Sequence, residues 1–527
     1  MKPERFTGIH KEMHIMRQSK QSGIQSKEMS RRSFLGALGA AAALYPVGHV
    51  VQAQSGDTPA NGDQPNILWI VIEDISAHLS CYGETTIETP RMDQLAAEGT
   101  LFERAYITAP VCSPARSAMV TGMYQTSINA HHHRSGRGEK KIHLPDHVEL
   151  VPAMMQQAGY WTGNGHWPPR EPDGPIGKTD FNFEWDRGVY DGNHWDQRDA
   201  GKPFFHQLHL EGGKLRDVPA WLEDVYEVIE DPTSQDDVNL PPYYPDHPDI
   251  RQDWAEYLDS IRYTDKQVGE IVDQLEEEGL LDNTVIILMS DHGISHARGK
   301  QFLYEEGVHI PFIVRGPGIP AGERSAELIE HIDMAATTLA LGGVDVPGHM
   351  HGQDLFGAGY ESRGYVFFAR DRCDETVDRI RGMRGDRYKY IRNFYPDRPY
   401  LQPNAYADNK PTLQALREWH EADKLNEHQA LIMAETRPRE ELYDLHQDPH
   451  ELHNLAGDPA YEPTLLQMRQ TLEYWMEATN DHGEESEEMY DSDMEVYVNR
   501  VRANNPERAE EIEANIELMK QWAAEGK

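Results

Sequence analysis

Apolar residues follow two rhythms along this chain. Unbroken, β-branched runs at 67–72, 283–290 and 310–315 predict strands buried on both faces, as in a parallel sheet. Residues 251–279 instead place Trp254, Tyr257, Ile261, Val268, Ile271 and Leu275 at helical spacing, predicting one long amphipathic helix. A helix is expected from Thr89-Pro90 to about Glu98, and another over 146–158, stopping at Gly159. Pro114 sits where a helix beginning at Cys112 tolerates proline. Strands alternating with helices predict an α/β sandwich with a central, mostly parallel sheet between helices. Near residue 360 the texture changes. Residues 364–369 and 388–392 predict antiparallel strands of a smaller C-terminal subdomain, with a helix over 465–478. An acidic, exposed connector over 481–493 and a last helix over 507–524 complete the chain. The expected domains are 66–362, 363–480 and 481–527.

The N-terminus reads as an address. Ser30-Arg31-Arg32-Ser33-Phe34-Leu35 resembles a twin-arginine export motif, a short apolar stretch follows, and Val51-Gln52-Ala53 suits cleavage. Residues 1–53 are therefore expected to be a signal peptide, with a polar linker over 54–65 and a bacterial, periplasmic or extracellular destination. No run is long enough for an ordinary transmembrane helix. Residues 1–53 hold eight Lys/Arg and three Asp/Glu, leaving 42 basic and 86 acidic residues, a net charge of −44. That excess excludes a general nucleic-acid surface. It is awkward for a polyanionic substrate unless a locally basic pocket lies within an acidic body. Three cysteines, Cys81, Cys112 and Cys373, make no disulfide framework.

Chemistry concentrates in five segments. Glu73-Asp74 and Asp291-His292 each end a buried strand, where ligands bind in α/β folds. Carboxylates converging there call for a cation, and hard oxygen ligands favour Ca²⁺ or Mg²⁺. Cys112-Ser113-Pro114-Ala115-Arg116 opens a helix whose N–H groups and dipole favour an anion, with Arg116 one turn on. His131-His132-His133 is a polar loop, a metal tract or a source of catalytic imidazole. Arg370-Asp371-Arg372-Cys373-Asp374-Glu375 is either a sugar-binding rim through Arg370 and Arg372 or an ion-paired structural loop.

The C-x-P-x-R pattern at Cys112, the strands ending at Asp74 and Asp291, and the segment from Glu441 to Ala456 resemble the type I sulfatases, of the alkaline-phosphatase-like superfamily. The motif style is nearest to bacterial sulfatases similar to N-sulfoglucosamine sulfohydrolase. The resemblance implies that a maturation enzyme oxidises Cys112 to Cα-formylglycine. It implies Ca²⁺ at Glu73, Asp74, Asp291, His292 and residue 112, and a sulfated oligo- or polysaccharide as substrate. Lys178 and Lys300 match sulfate-binding lysines. Two positions depart from the pattern: Asp180 and Lys214 stand where the family commonly has histidine. Lys214, or one of His131, His132 and His133, is then expected to move the leaving-group proton, and His309 is a candidate substrate contact. A phosphodiesterase or phosphonate hydrolase of the same fold, or a silent glycan-binding protein, are the competing readings.

Overall fold

In the computed structural model, residues 64–527 are described. The expected signal peptide and nearly all of the linker lie outside the described residues. The apolar run that opens the sheet is strand β1 (Asn66–Ile72), buried at every position. Its side chains divide by parity, as a strand's must. Ile67, Trp69 and Val71 enter one core, and Leu68, Ile70 and Ile72 enter another. Two cores flanking one sheet define the sandwich.

The other strands of this sheet are β2 (Thr100–Tyr106), β3 (Trp161–His166), β4 (Phe204–Leu210), β5 (Thr284–Ser290), β6 (His309–Ile310), β7 (Phe312–Arg315) and β8 (Glu323–Glu330). They run in the order β3-β4-β1-β5-β7-β2-β6, with β8 on β2. The β3-β4-β1-β5 half is parallel, whereas β7 is antiparallel to both β5 and β2. The single strand expected over 310–315 is split at Pro311, which has no N–H to give a ladder. The long helix Pro248–Glu277 covers one face through Trp254, Tyr257, Leu258 and Ile261. The helices Cys112–Thr121, Val151–Gln157 and Asp333–Leu341 cover the other.

A second, antiparallel sheet has the order β12-β11-β10-β9, from β9 (Val366–Arg370), β10 (Ile380–Arg384), β11 (Tyr388–Asn393) and β12 (Glu440–Asp444). The helix Glu462–Ala478 packs on it through Leu465, Met468, Leu472 and Trp475.

The acidic connector departs from expectation. Residues 487–502 form a helix, capped by the Ser486 side chain accepting from the Met489 N–H. Its acidic residues are not all solvated: Arg372 takes Glu485 and Asp493, and Arg381 takes Asp481. Paired carboxylates can be buried where lone ones cannot.

Candidate active site

Strand register builds the site. Ile72 pairs with Ser290 on one side and with Leu210 on the other. Glu73-Asp74, Asp291-His292 and the segment after β4 therefore leave three adjacent strands at one edge. The Asp291 N–H donates to Ile72 O and the Glu73 N–H to Leu210 O, which prolongs the ladders into the site. Asp74 turns out of the sheet at φ 56°, a left-handed conformation that aspartate tolerates better than most residues. Gly212 and Gly213 make the third approach feasible. A Cβ at Gly212 would lie 2.3 Å from Glu73 O, and one at Gly213 2.2 Å from Asp74 O. Only glycine lets this turn ride over these two backbone carbonyls and deliver Lys214 to Glu73.

Cys112 begins a ten-residue helix that is buried throughout. Its Sγ lies 3.1 Å from His292 Nε2 and 3.3 Å from Lys300 Nζ. Lys300 also reaches both Asp74 oxygens at 3.3 Å, and His292 Nε2 is 3.2 Å from Asp74 Oδ1. Arg116 braces the opposite side. It donates to Asp291 Oδ2 through Nε and Nη2 at 3.2 and 3.1 Å, and to Glu73 Oε1 at 3.0 Å. Its Nη1 donates to His209 Nδ1 at 2.8 Å. His209 Nε2 faces Asn164 Oδ1 at 2.8 Å, which fixes the tautomer that leaves Nδ1 as acceptor. Lys178 and Lys214 both pair with Glu73.

These contacts set the electrostatics. Burial pushes the Cys112 thiol up, with Lys178 and Lys300 opposing it. Burial holds His292 down at about 4. Burial and the neighbouring Lys300 bring the Lys214 ammonium down to about 8. Asp291 is held well below the usual carboxylate range by His292 and Arg116, against its burial.

The donor set fits a metal ion. His292 Nδ1 lies 2.8 Å from the Gly293 carbonyl, so Nδ1 carries the proton and the Nε2 lone pair faces Asp74. Acceptor then meets acceptor, with Asp291 Oδ1 also 3.7 Å away, an arrangement that a cation would satisfy. One ligand atom each from Asp74, Cys112 and His292 lies within 4.8 Å of the others. Glu73 is engaged instead by Arg116, Lys178 and Lys214.

The remaining candidates scatter. Arg370, at the end of β9, donates to Gln301 Oε1 at 3.0 Å and lines a cavity with Lys300, His296, Asn404, Tyr406 and Lys410. Arg372 does not join this rim. Its guanidinium is enclosed by Glu485, Asp493 and the His133 and Asp374 carbonyls, so its assignment to substrate is corrected. His309 is corrected as well: it stacks on Tyr106 at 5.3 Å and bonds the Glu103 carbonyl, held there by the β6–β2 pairing. None of the hydrogen bonds of His131, His132 or His133 reaches Cys112. His131 bonds the Gly483 carbonyl, and His133 faces Asp374 and Cys373. Burial holds His132 well below its usual pKa and His133 down at about 4. The triple histidine thus makes no hydrogen bond to Cys112 among the described residues. Asp180 is held by Arg134 and Arg137.

Sequence reasoning passed over His209, Tyr406 and Lys410. A histidine ending the buried run of β4 is a local signal for the first. Tyr406, whose ring lies 5.1 Å from Lys300 Nζ, and Lys410 have none.

Comparison with known proteins gives this geometry a family. The sequence model of the family described as Sulfatase matches residues 65–344. An ulvan-active sulfatase of Formosa agariphila is 34% identical over 463 residues, covering 80% of this chain and 76% of the relative. The chain belongs to the sulfatase family. It is a sulfuric ester hydrolase by that membership. The C-terminal model of N-sulphoglucosamine sulphohydrolase matches residues 292–408 of this sulfatase. Human N-sulphoglucosamine sulphohydrolase is 26% identical over 478 residues, 79% of this chain and 90% of its own. Among solved structures, an enzyme in complex with its substrate D-glucosamine-2-N,6-O-disulfate superposes with a TM-score of 0.55 at 20% identity, over 80% of this chain and 99% of that one. The fold is the alkaline-phosphatase-like sandwich.

Proposed function

We propose that this sulfatase removes sulfate, as ester or sulfamate, from a sulfated oligo- or polysaccharide, using Cα-formylglycine made from Cys112. The observation that carries the reading is the placement of Cys112. It starts a buried helix and touches His292 and Lys300, with Asp74 immediately beyond. The saccharide class is supported by two relatives, an ulvan-active sulfatase and an N-sulphoglucosamine sulphohydrolase.

A hydrated aldehyde at residue 112 supplies one hydroxyl to attack sulfur and a second whose deprotonation expels sulfate. Asp74, Asp291, His292 and residue 112 would hold a divalent cation, Ca²⁺ before Mg²⁺, which when bound adds positive charge beside the sulfate oxygens. The chain's own groups do the rest. Lys178, Lys300 and the helix N–H groups receive the negative charge of the equatorial oxygens. Arg116 fixes Asp291 and Glu73 so that the nucleophile meets a rigid wall. Lys214, with its ammonium brought near neutrality, protonates the departing sugar oxygen or nitrogen. The cavity carrying Arg370, Tyr406 and Lys410 receives the sugar.

The twin-arginine motif routes the folded enzyme out of the cytosol, which suits a cysteine that must be oxidised first. No helix among the described residues is long and apolar enough to cross a membrane. Mass spectrometry of tryptic peptide 105–116, from protein made with a maturation enzyme, tests the central claim. The expected mass falls by the change of CH₂SH to CHO. An intact thiol, in a host that matures control sulfatases, overturns it.

A further inference from the structure

The triple histidine is the motif that the catalytic chemistry leaves unused, and its ring nitrogens are the anomaly. His131 donates Nε2–H to the Gly483 carbonyl at 2.8 Å, while its Nδ1 has no partner among the described residues. His132 has no partner on either ring nitrogen. Both residues are buried, 2% and 5% exposed, with ring centroids 4.2 Å apart. Asp371 completes a triangle: one nitrogen from each ring and one carboxylate oxygen lie within 4.8 Å of one another. Three orphaned buried ring nitrogens in one place require an explanation, since each costs stability unless something satisfies it.

The surrounding charges say what would. Arg381 binds Asp371 and Asp481, and Arg372 binds Glu485 and Asp493. Two guanidinium groups thus face four carboxylates, an excess of two negative charges. All six side chains are less than a tenth exposed. Arg381 Nη1 lies 3.0 Å from each Asp371 oxygen, but a carboxylate has about four lone-pair sites, so acceptor capacity remains.

We propose that His131, His132 and Asp371 form a second metal site, for a divalent cation of the zinc class, apart from the catalytic centre. Two imidazoles and one carboxylate suit zinc better than the all-oxygen preference of calcium or magnesium. The His131 Nε2–H bond to a backbone carbonyl is the outer contact that orients a ligating imidazole. Rotation of the rings draws the three atoms onto an ion at about 2.0–2.2 Å. The ion neutralises the carboxylate excess. It ties the loop after the nucleophile helix to the end of β9, next to Arg370, and to Gly483.

The test uses the full mature chain carrying His292→Ala, which removes the imidazole of the catalytic centre. After loading with Zn²⁺ and dialysis, metal analysis is expected to find one equivalent, and Zn²⁺ to raise Tm. Adding His131→Ala and His132→Ala together is expected to abolish both effects while far-UV circular dichroism stays native. The Co²⁺-loaded protein is expected to show visible ligand-field bands without thiolate charge-transfer absorption. Absence of bound zinc in folded His292→Ala protein overturns the proposal. So does zinc retained in full by the double histidine variant. In protein whose residue 112 is formylglycine, a thiolate charge-transfer band overturns it too, because the ion then sits on Cys373 and His133. If the double variant does not fold, Asp371→Asn and the cobalt spectrum decide.

Discussion

Two buried ionic clusters in this molecule have opposite balances. Around Cys112, the carboxylates of Glu73, Asp74 and Asp291 meet four cations, Arg116, Lys178, Lys214 and Lys300. At the seam beside the second sheet, four carboxylates meet, among the described residues, only the guanidinium groups of Arg372 and Arg381 as ion-pair partners. The chain as a whole carries a net charge of −39, so neither balance reflects the average. The cation-rich cluster can accept a sulfate group although the body repels polyanions at long range, since exposed charges are screened within about 8 Å at physiological salt. The carboxylate-rich cluster can accept only a cation.

The sharpest way to break this contrast is Lys214→Ala, because Lys214 is both one of the four cations and the assigned proton donor. A lost general acid costs about 10²–10⁴ in rate. The expected result is a fall of that size in kcat on sugar sulfates and a much smaller one on aryl sulfates, whose leaving group needs little protonation. Equal losses on both substrates would leave Lys214 as an electrostatic partner of Glu73 and remove it as the acid. Steady-state assays of the two substrate classes read the difference.

Much of the cluster around Cys112 was legible because its residues lie in short motifs attached to strong periodic signals. Glu73-Asp74 and Asp291-His292 follow short, β-branched apolar runs that read as buried strands, and Cys112 precedes a proline in helix register. Of the seam, only the ion-paired alternative for residues 370–375 was legible, and its partners were not. Arg372, Arg381, Glu485 and Asp493 come together from segments more than a hundred residues apart, and nothing local distinguishes Glu485 from a solvated neighbour such as Glu488. The same applies to strands β2, β3, β4 and β8, whose sequences lack an unbroken apolar run. Thr100–Tyr106, for instance, carries Glu103 and Arg104 at half-buried positions. Period and composition find strands hidden on both faces, and miss those whose polar residues are paired only in three dimensions.

The seam has its own counterpart variant. Arg372→Met removes a guanidinium that is almost wholly enclosed and leaves Glu485 and Asp493 buried with one fewer cation. Breaking a buried pair from one side costs about 3–5 kcal/mol. Urea unfolding is expected to show that loss, while kcat per folded molecule stays near wild type. An unchanged midpoint with a large fall in kcat would return Arg372 to the substrate rim.

Arg370, two residues earlier, tests where the contrast ends. Its Nη2 donates to Gln301 and its guanidinium also pairs with Asp378, yet it borders a cavity lined by Tyr406 and by Lys300, whose Nζ lies 3.3 Å from Cys112 Sγ. Burial lowers its pKa to about 10, with Arg437 adding to the effect and the carboxylate of Asp371 opposing it. It remains charged at neutral pH and available to a sugar hydroxyl or a second sulfate. Arg370→Ala is expected to raise KM about tenfold, the ~1.4 kcal/mol of one charge-assisted hydrogen bond, with kcat nearly unchanged. The change in KM is expected to be larger for a disulfated than for a monosulfated saccharide. A fall in kcat with KM constant would instead make Arg370 a support for Gln301 and Asp378. The boundary between the two clusters would then lie between Lys300 and β9 rather than between Arg370 and Arg372.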